Sequence, residues 1–384
     1  MTSSKFLSYA ERLISRPTAP FREQWVAQEL DLILSEIPGL EIDTDRFGNR
    51  IARLTRGNPV GPLPIFVAHL DHPGFLLAPD GAQSSGVGNL YHATFEGRVM
   101  SEFFHGTRVR LYRNSHDPGV VGMVRTAGEE SVSTDNRGII LETEENADGA
   151  VLAMWDLTPF EVREGMLHAR VCDDLAGVAA ILAAFEMLSR GTEPIDVAAI
   201  FSRAEEAGFC GVLCLLSEEQ LHPLLSEEGI FISVENSSER AGVACGDGAI
   251  IRLGDRASTF DGPTADLLWR VAKAYNIKAK RMLMDGGTCE ATVFARKGLR
   301  AGGLCIPLRN YHNMDRNTGR IAPEAINLGD AEALATLIAT FTVNHHNPTQ
   351  LGPDLDYDLF LRKGLAQLKH PSESPLVPAV PTNR

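Results

Sequence analysis

Apolar and polar positions along this chain fall into two textures. Near the N-terminus Phe6, Leu7, Ala10, Leu13 and Ile14 share one helical face, and QWVAQELDLIL repeats that spacing from Gln24, so the pattern predicts two helices. LEIDTDRFGNRIARL then alternates on either side of Phe-Gly-Asn-Arg, which predicts a hairpin. A continuous apolar strand, Ile65 to Ala68, follows and stops at His69 and Asp71. From about residue 78 to 166 the texture changes to short alternating runs, TRVRLYR, GVVGMVRT and GAVLAMWDL, separated by Gly, Asn, Asp and Ser clusters. No helical period of useful length occurs there, and the stretch reads as a small all-β domain inserted into the main one.

The first texture then returns. LAGVAAILAAFEMLSRG predicts a helix closed by Gly191. Strand IDVAAIF, strand IFISV, helix TADLLWRVAKAY, strand GGLCI and a long helix over PEAINLGDAEALATLIATF follow in turn. Strands alternating with helices predict a mixed, largely parallel α/β sheet with helices on both faces. The expected organisation is a main domain of residues 1–77 plus 167–345, an inserted β domain of 78–166, and an extension of 346–384 whose Pro-rich end reads as disordered.

A net charge of -14, with no Lys/Arg-rich run, excludes a nucleic-acid partner, because such binding relies on clustered cations. No stretch approaches the roughly 18 apolar residues of a membrane span, and the N-terminus lacks the apolar core of a secretory signal. A cytoplasmic protein with no membrane partner is expected. Six scattered cysteines are too few for a disulfide framework. Cys210 and Cys214, one helical turn apart, read as core packing, and Cys172 as a small buried hydrophobe.

Open α/β sheets bind ligands beyond the carboxyl ends of their strands. Five such ends carry ligand-type side chains: His69 with Asp71, Asp173 with Asp174, Glu205 with Glu206, Glu235, and His312. Singly, a carboxylate after a strand caps a helix or sits in a solvated turn. Together, so many acids in one crevice call for cations to offset their repulsion. Nitrogen plus oxygen ligands point to zinc, cobalt or manganese rather than calcium or magnesium. A pair of divalent ions bridged by a carboxylate is a known arrangement for hydrolysis.

In order, HLDHPGF, CDDLAG, AEEAGFCG, VEN, DGGTCEA and PLRNYH resemble the signatures of the tetrahedral or glutamyl aminopeptidase family of dinuclear metallopeptidases, from about residue 10 to 343. The resemblance implies a zinc-peptidase-like sheet and two divalent ions per chain, zinc first. It makes Asp173 the bridging ligand, with His69 and Glu235 on one ion and Glu206 and His312 on the other. Asp71 would hydrogen-bond the far nitrogen of His69, and Glu205 would act as general base. It further implies a cis Asp173–Asp174 peptide, peptide substrates, and dimers built through the β insertion or a hollow dodecamer.

Three positions depart from the family's pattern: Glu235 stands for Asp, His72 for an acid, and Cys289 for Asp. The extra methylene of Glu235 can be absorbed by a slightly retracted strand, so the metal site is expected to survive it, while His72 and Cys289 bear on substrate preference more than on hydrolysis. His72 before Pro73 reads as a surface turn residue, with an extra ligand as the alternative. Gly286 and Gly287 suggest backbone close to a substrate or a neighbouring strand. By resemblance Arg309 lies near the site, pairing with a substrate carboxylate or with structure, and His345–His346 reads as a solvated linker. The function expected is removal of N-terminal residues from peptides. The alternatives are an amidohydrolase or deacylase acting on a small N-acyl substrate at the same site, and a catalytically silent scaffold.

Overall fold

The computed structural model describes residues 2–84, 89–125, 137–217, 228–346, 351 and 355–368. An eleven-stranded sheet forms its centre. In the middle, Ile195–Ser202, Leu63–His69, Gly229–Ser238 and Arg300–Arg309 lie side by side and parallel. Leu63–His69 is buried along its whole length, as an unbroken apolar run must be when helices cover both faces. The predicted hairpin, Leu40–Thr44 with Arg50–Arg56, extends one side of this core antiparallel. Glu324–Asn327, Met166–Ala169 and Phe160–Arg163 extend the other.

On one face lies the helix Leu175–Ser189, packed with the helices Thr2–Ile14 and Leu328–Asn344. Leu175–Ser189 is apolar almost all round, which suits a helix that is buried nearly all round. On the other face Val212, Leu215 and Phe294 cover Ile65, Val67 and Ile200, and Phe231 stacks on Phe294 at 4.5 Å. Among the described residues no helix is long and apolar enough to cross a membrane. All six cysteines are free, and Cys172 is buried, as its apolar setting predicts.

Between the first imidazole and Asp173 the chain leaves the sheet to form a closed six-stranded barrel. Its centre is an aromatic cluster in which Phe75, Phe95, Phe104 and Trp155 meet edge to face. The barrel's strands run from Gly74 to Trp155, a narrower span than the sequence suggests at its far end. Phe160–Arg163 and Met166–Ala169, joined through Glu164 (φ 51°) and Gly165 (φ 74°), form a tight hairpin that belongs to the large sheet instead. The helix predicted over PEAINLGDAEALATLIATF also needs correction. Its first turn is the strand Glu324–Asn327, paired on both edges, and the helix starts at Leu328, where the Asn327 side chain caps Gly329 N. The final unit, residues 347–384, contains the helix Leu355–Leu368, and the Pro-rich end lies outside the described residues.

Candidate metal centre

The parallel register sets Ser202 level with His69, so the chain segments after both residues emerge at the same edge of the sheet. The loop carrying Glu205 and Glu206 is then fixed by three buried side chains. Asn49, from the predicted Phe-Gly-Asn-Arg turn, accepts from Arg203 N and donates to Gly211 O. A Cβ on Gly211 would meet Asn49 and the Arg203 carbonyl, which explains the glycine. Glu23 accepts from Ala204 N and pairs with the Arg203 guanidinium. Asp71 accepts from Glu205 N and Glu206 N, both at 3.0 Å. Here the expected role of Asp71 shifts. Its carbonyl, at 3.1 Å, accepts from His69 Nδ1, while its carboxylate, 3.6 Å from that nitrogen, orients the glutamate pair.

His312 is held just as firmly on the opposite side. Its backbone is left-handed (φ 55°), as are those of Asn310 and Asn313, a conformation uncommon outside glycine that Asn and His adopt more readily than most residues. Glu324 holds it, accepting from His312 N at 2.8 Å and, with its other oxygen, from Cys172 N and Asp173 N. Asp173–Asp174 is a cis peptide. A Cβ on Gly177 would overlap the Asp174 carboxylate, so this glycine makes room for it over the first helical turn.

These supports bring the expected ligands together. Asp173 turns Oδ1 toward His69 Nε2 at 3.5 Å and Oδ2 toward His312 Nε2 at 3.6 Å. Glu206 Oε1 lies 2.9 Å from His312 Nε2, and Glu235 Oε2 lies 3.9 Å from His69 Nε2. Each imidazole gives its Nδ1 hydrogen to a carbonyl, Asp71 O for His69 and Arg98 O for His312, which leaves both Nε2 atoms facing the carboxylates. Three sets of donor atoms converge within 4.8 Å: Asp173, Glu206 and His312; His69, Glu205 and Glu206; and His69, Asp174 and Glu235. Asp174 was not among the expected ligands. One of its oxygens accepts from Asn236 Nδ2, and the other has no partner.

The buried Asp173 Oδ1 lacks a hydrogen-bond partner, and His312 Nε2, although 2.9 Å from Glu206 Oε1, makes no well-aligned hydrogen bond, as ligand atoms waiting for a cation do. Protonation tells the same story. Burial disfavours charge on His69 and His312, yet the carboxylates of Glu205, Glu206 and Asp173 outweigh it and raise both pKa values well above the usual range. Burial, with Glu206 and Glu235 nearby, pushes Glu205 well up, and burial pushes Glu235 up to about 7. Asp173 stays below the ordinary carboxylate range, because the two imidazoles that face it, His312 and His69, outweigh its burial. Without cations, the site therefore holds protons that cations would displace. The donor set and its orphaned atoms fit divalent metal.

Other expected positions fall differently. His72 is fully buried, with Nδ1 donating to Asp173 O at 2.7 Å and Nε2 facing Asn313 Oδ1 at 3.0 Å. It is neither a surface turn residue nor a ligand, since both nitrogens are engaged. His345 is buried too, bonded to carbonyls at the end of its helix and to Pro62 O, so the solvated-linker reading fails for it. Arg309 pairs with Glu239 at 3.2 Å. A Cβ on Gly286 or Gly287 would meet no neighbour, although Gly287 O accepts from Arg256 N at 2.9 Å; both glycines line an open cleft of about 320 Å³ that begins at Glu235 and Tyr311 and also contains Arg240 and Arg252.

Three buried residues were missed. Glu324 sits in a stretch that reads as helix, and Arg252 sits in an ordinary strand pattern. Burial disfavours the charge of Arg252, but Cys289, Cys305, Glu235 and Asp255 around it hold the guanidinium charged. Glu290 is wholly buried with neither carboxylate oxygen partnered, and burial pushes its pKa up to about 8. In the unfolded chain the same carboxyl ionises near its ordinary value, so it lowers stability as pH rises from there toward 8. In chelator-treated protein, Glu290→Gln is expected to stabilise by on the order of a few kcal/mol at pH 8 and by progressively less toward pH 5. Urea unfolding at the two pH values measures this; a difference that does not grow with pH contradicts the burial of an unpartnered acid.

Sheet, barrel and crowded strand ends together are those of a metal-dependent peptide hydrolase. The model of the M42 glutamyl aminopeptidase family matches residues 48–327, and the chain belongs to that family. Among solved structures, it resembles the TET1 peptidase of Pyrococcus horikoshii at 20% identity, covering 88% of this chain and 99% of that one with a TM-score of 0.69. It also resembles an aminopeptidase from Desulfurococcus kamchatkensis at 18% identity, covering 91% and 97% with a TM-score of 0.71. An endoglucanase from Thermotoga maritima shares the fold at 17% identity, covering 90% and 99% with a TM-score of 0.61. No protein of curated function matches the sequence.

Proposed function

We propose that the protein removes N-terminal residues from peptides, using two divalent cations and Glu205 as general base. The observation that carries this reading is Asp173, one oxygen turned to each imidazole. His69, Asp173 and Glu235 would hold one ion, and Asp173, Glu206 and His312 the other. Bound there, the cations would supply Lewis acidity and lower the pKa of water. Zinc suits this nitrogen and oxygen set, as do cobalt and manganese. Glu205, no ligand in this scheme, takes the proton of the attacking water and returns it to the leaving amine. Asp71 keeps that carboxylate in position through the backbone of Glu205, and the cleft from Glu235 to Gly287 receives the substrate.

The test is a panel of short peptides and their N-acetylated counterparts, assayed with and without chelator. Free N-termini should be cleaved, chelator should abolish the activity, and added zinc, cobalt or manganese should restore it. Cleavage of only the acylated set would make the protein a deacylase, and none of either a silent scaffold. We also propose a homo-oligomer that uses the barrel as a contact surface. The Pyrococcus horikoshii protein is described as assembling into a tetrahedron or a large octahedral shell. Here Val121 and Met123 stand exposed on a barrel strand. A monomer by light scattering at assay concentration would overturn this.

A further inference from the structure

We propose that a second cleft, formed by the end of the first helix, the barrel strand Arg108–Tyr112 and the chain after Trp155, binds a small oxyanion, with Arg170 as its buried cation. The cleft holds about 470 Å³ and is lined by Ser15, Arg110, Tyr112, Ser115, Thr158 and Arg170, among others. Arg170 is only 2% exposed. Its Nη1 donates to Tyr112 Oη at 2.5 Å, and its guanidinium lies 5.4 Å from the centre of the Tyr112 ring. Its Nε and Nη2 have no partner.

No carboxylate among the described residues forms an ion pair with Arg170, although Asp156 acts on its charge from a distance. The acids of this cleft are already taken: Asp156 is held by Arg108 and Arg110, both at 2.8 Å, and Asp117 by Arg113 and by the backbone of Arg113 and Gly119. A guanidinium does not escape burial by losing its proton, so a site that buries one must answer both its charge and its donors. Water answers the donors alone. An oxyanion answers both, and Nε and Nη2, unpartnered and closed to solvent as the structure stands, are the edge that would grip carboxylate or phosphate side-on once it enters beside Arg170. The cleft is distinct from the metal centre, although Arg170 precedes Asp173 by three residues and its carbonyl accepts from Asn313 Nδ2.

The shared chemistry is a compact oxyanion, and we assign it to a free small molecule rather than to an acidic side chain of a second copy. Metal-loaded protein is titrated with sodium sulfate and, separately, sodium acetate at constant ionic strength, and binding is followed by calorimetry. Saturable binding of at least one anion is expected. Arg170→Met should weaken it at least tenfold, and Tyr112→Phe by a smaller factor. If Arg170→Met does not fold, Arg170→Lys replaces it; it keeps the charge without the planar fork and should still weaken binding. Absence of saturation with both anions means that water alone fills the cleft, and overturns the proposal. So does binding by the Arg170 variant equal to that of the parent chain. If neither anion binds and Arg170→Met alters particle size in light scattering, the acid comes from a second copy, and the free-anion assignment fails. None of these readouts depends on peptide cleavage.

Discussion

Glu205→Gln is expected to lower turnover by about 10²- to 10⁴-fold while both cations remain bound, because positioned proton transfer contributes on that scale. Glutamine fills the same volume, so the loop keeps its shape: Asp71 still accepts from the backbone of residues 205 and 206, and Glu23 and Asn49 still hold residues 203 and 204. What disappears is a buried carboxylate able to accept a proton among Glu206, Glu235 and Glu290, neighbours that raise its affinity for one. Turnover and metal content must be measured on the same preparation. Peptide cleavage at near-normal rate would remove Glu205 from the chemistry, and loss of metal would make it a ligand.

Asp173→Asn should act in the reverse order, losing metal first and activity as a consequence. An amide in this position has only one oxygen for two imidazole-facing sides, and its NH₂ group would be turned at one of them. Exchange of a partner outside the ligand shell typically costs 10–100-fold in affinity; removal of the shared ligand should cost on the order of 10²-fold or more. The fold should survive, since the backbone of residue 173 is held independently by Glu324 and His72. Metal analysis after dialysis decides the matter: two ions per chain in the variant would refute the bridging role.

The sequence displayed the proposed ligands because each stands where an apolar run stops, and that is a local signal. Glu324 was hidden for the opposite reason. PEAIN carries a proline and good helix formers, and only pairing with strands far along the chain draws it into the sheet. His72 was misjudged because its partners, Asp173 and Asn313, lie 101 and 241 residues away. The far edge of the barrel was misplaced because alternation looks the same in a barrel strand and in the hairpin that returns to the main sheet. Arg170, Arg252 and Glu290 are charged residues in unremarkable local patterns, and nothing in those patterns announces burial.

The Glu324 carboxylate joins three N–H groups from two distant stretches, and Asp71 joins two more. Neither bond set requires a cation. An arriving ion therefore meets donors already in register, and its binding energy goes into affinity instead of into ordering the chain, unlike the small domains that fold only around zinc. If the proposed site holds metal, such a chain is expected to exchange one cation for another without unfolding. On the proposed reading, which of zinc, cobalt or manganese it carries would then depend on what its surroundings supply as well as on its nitrogen and oxygen ligands.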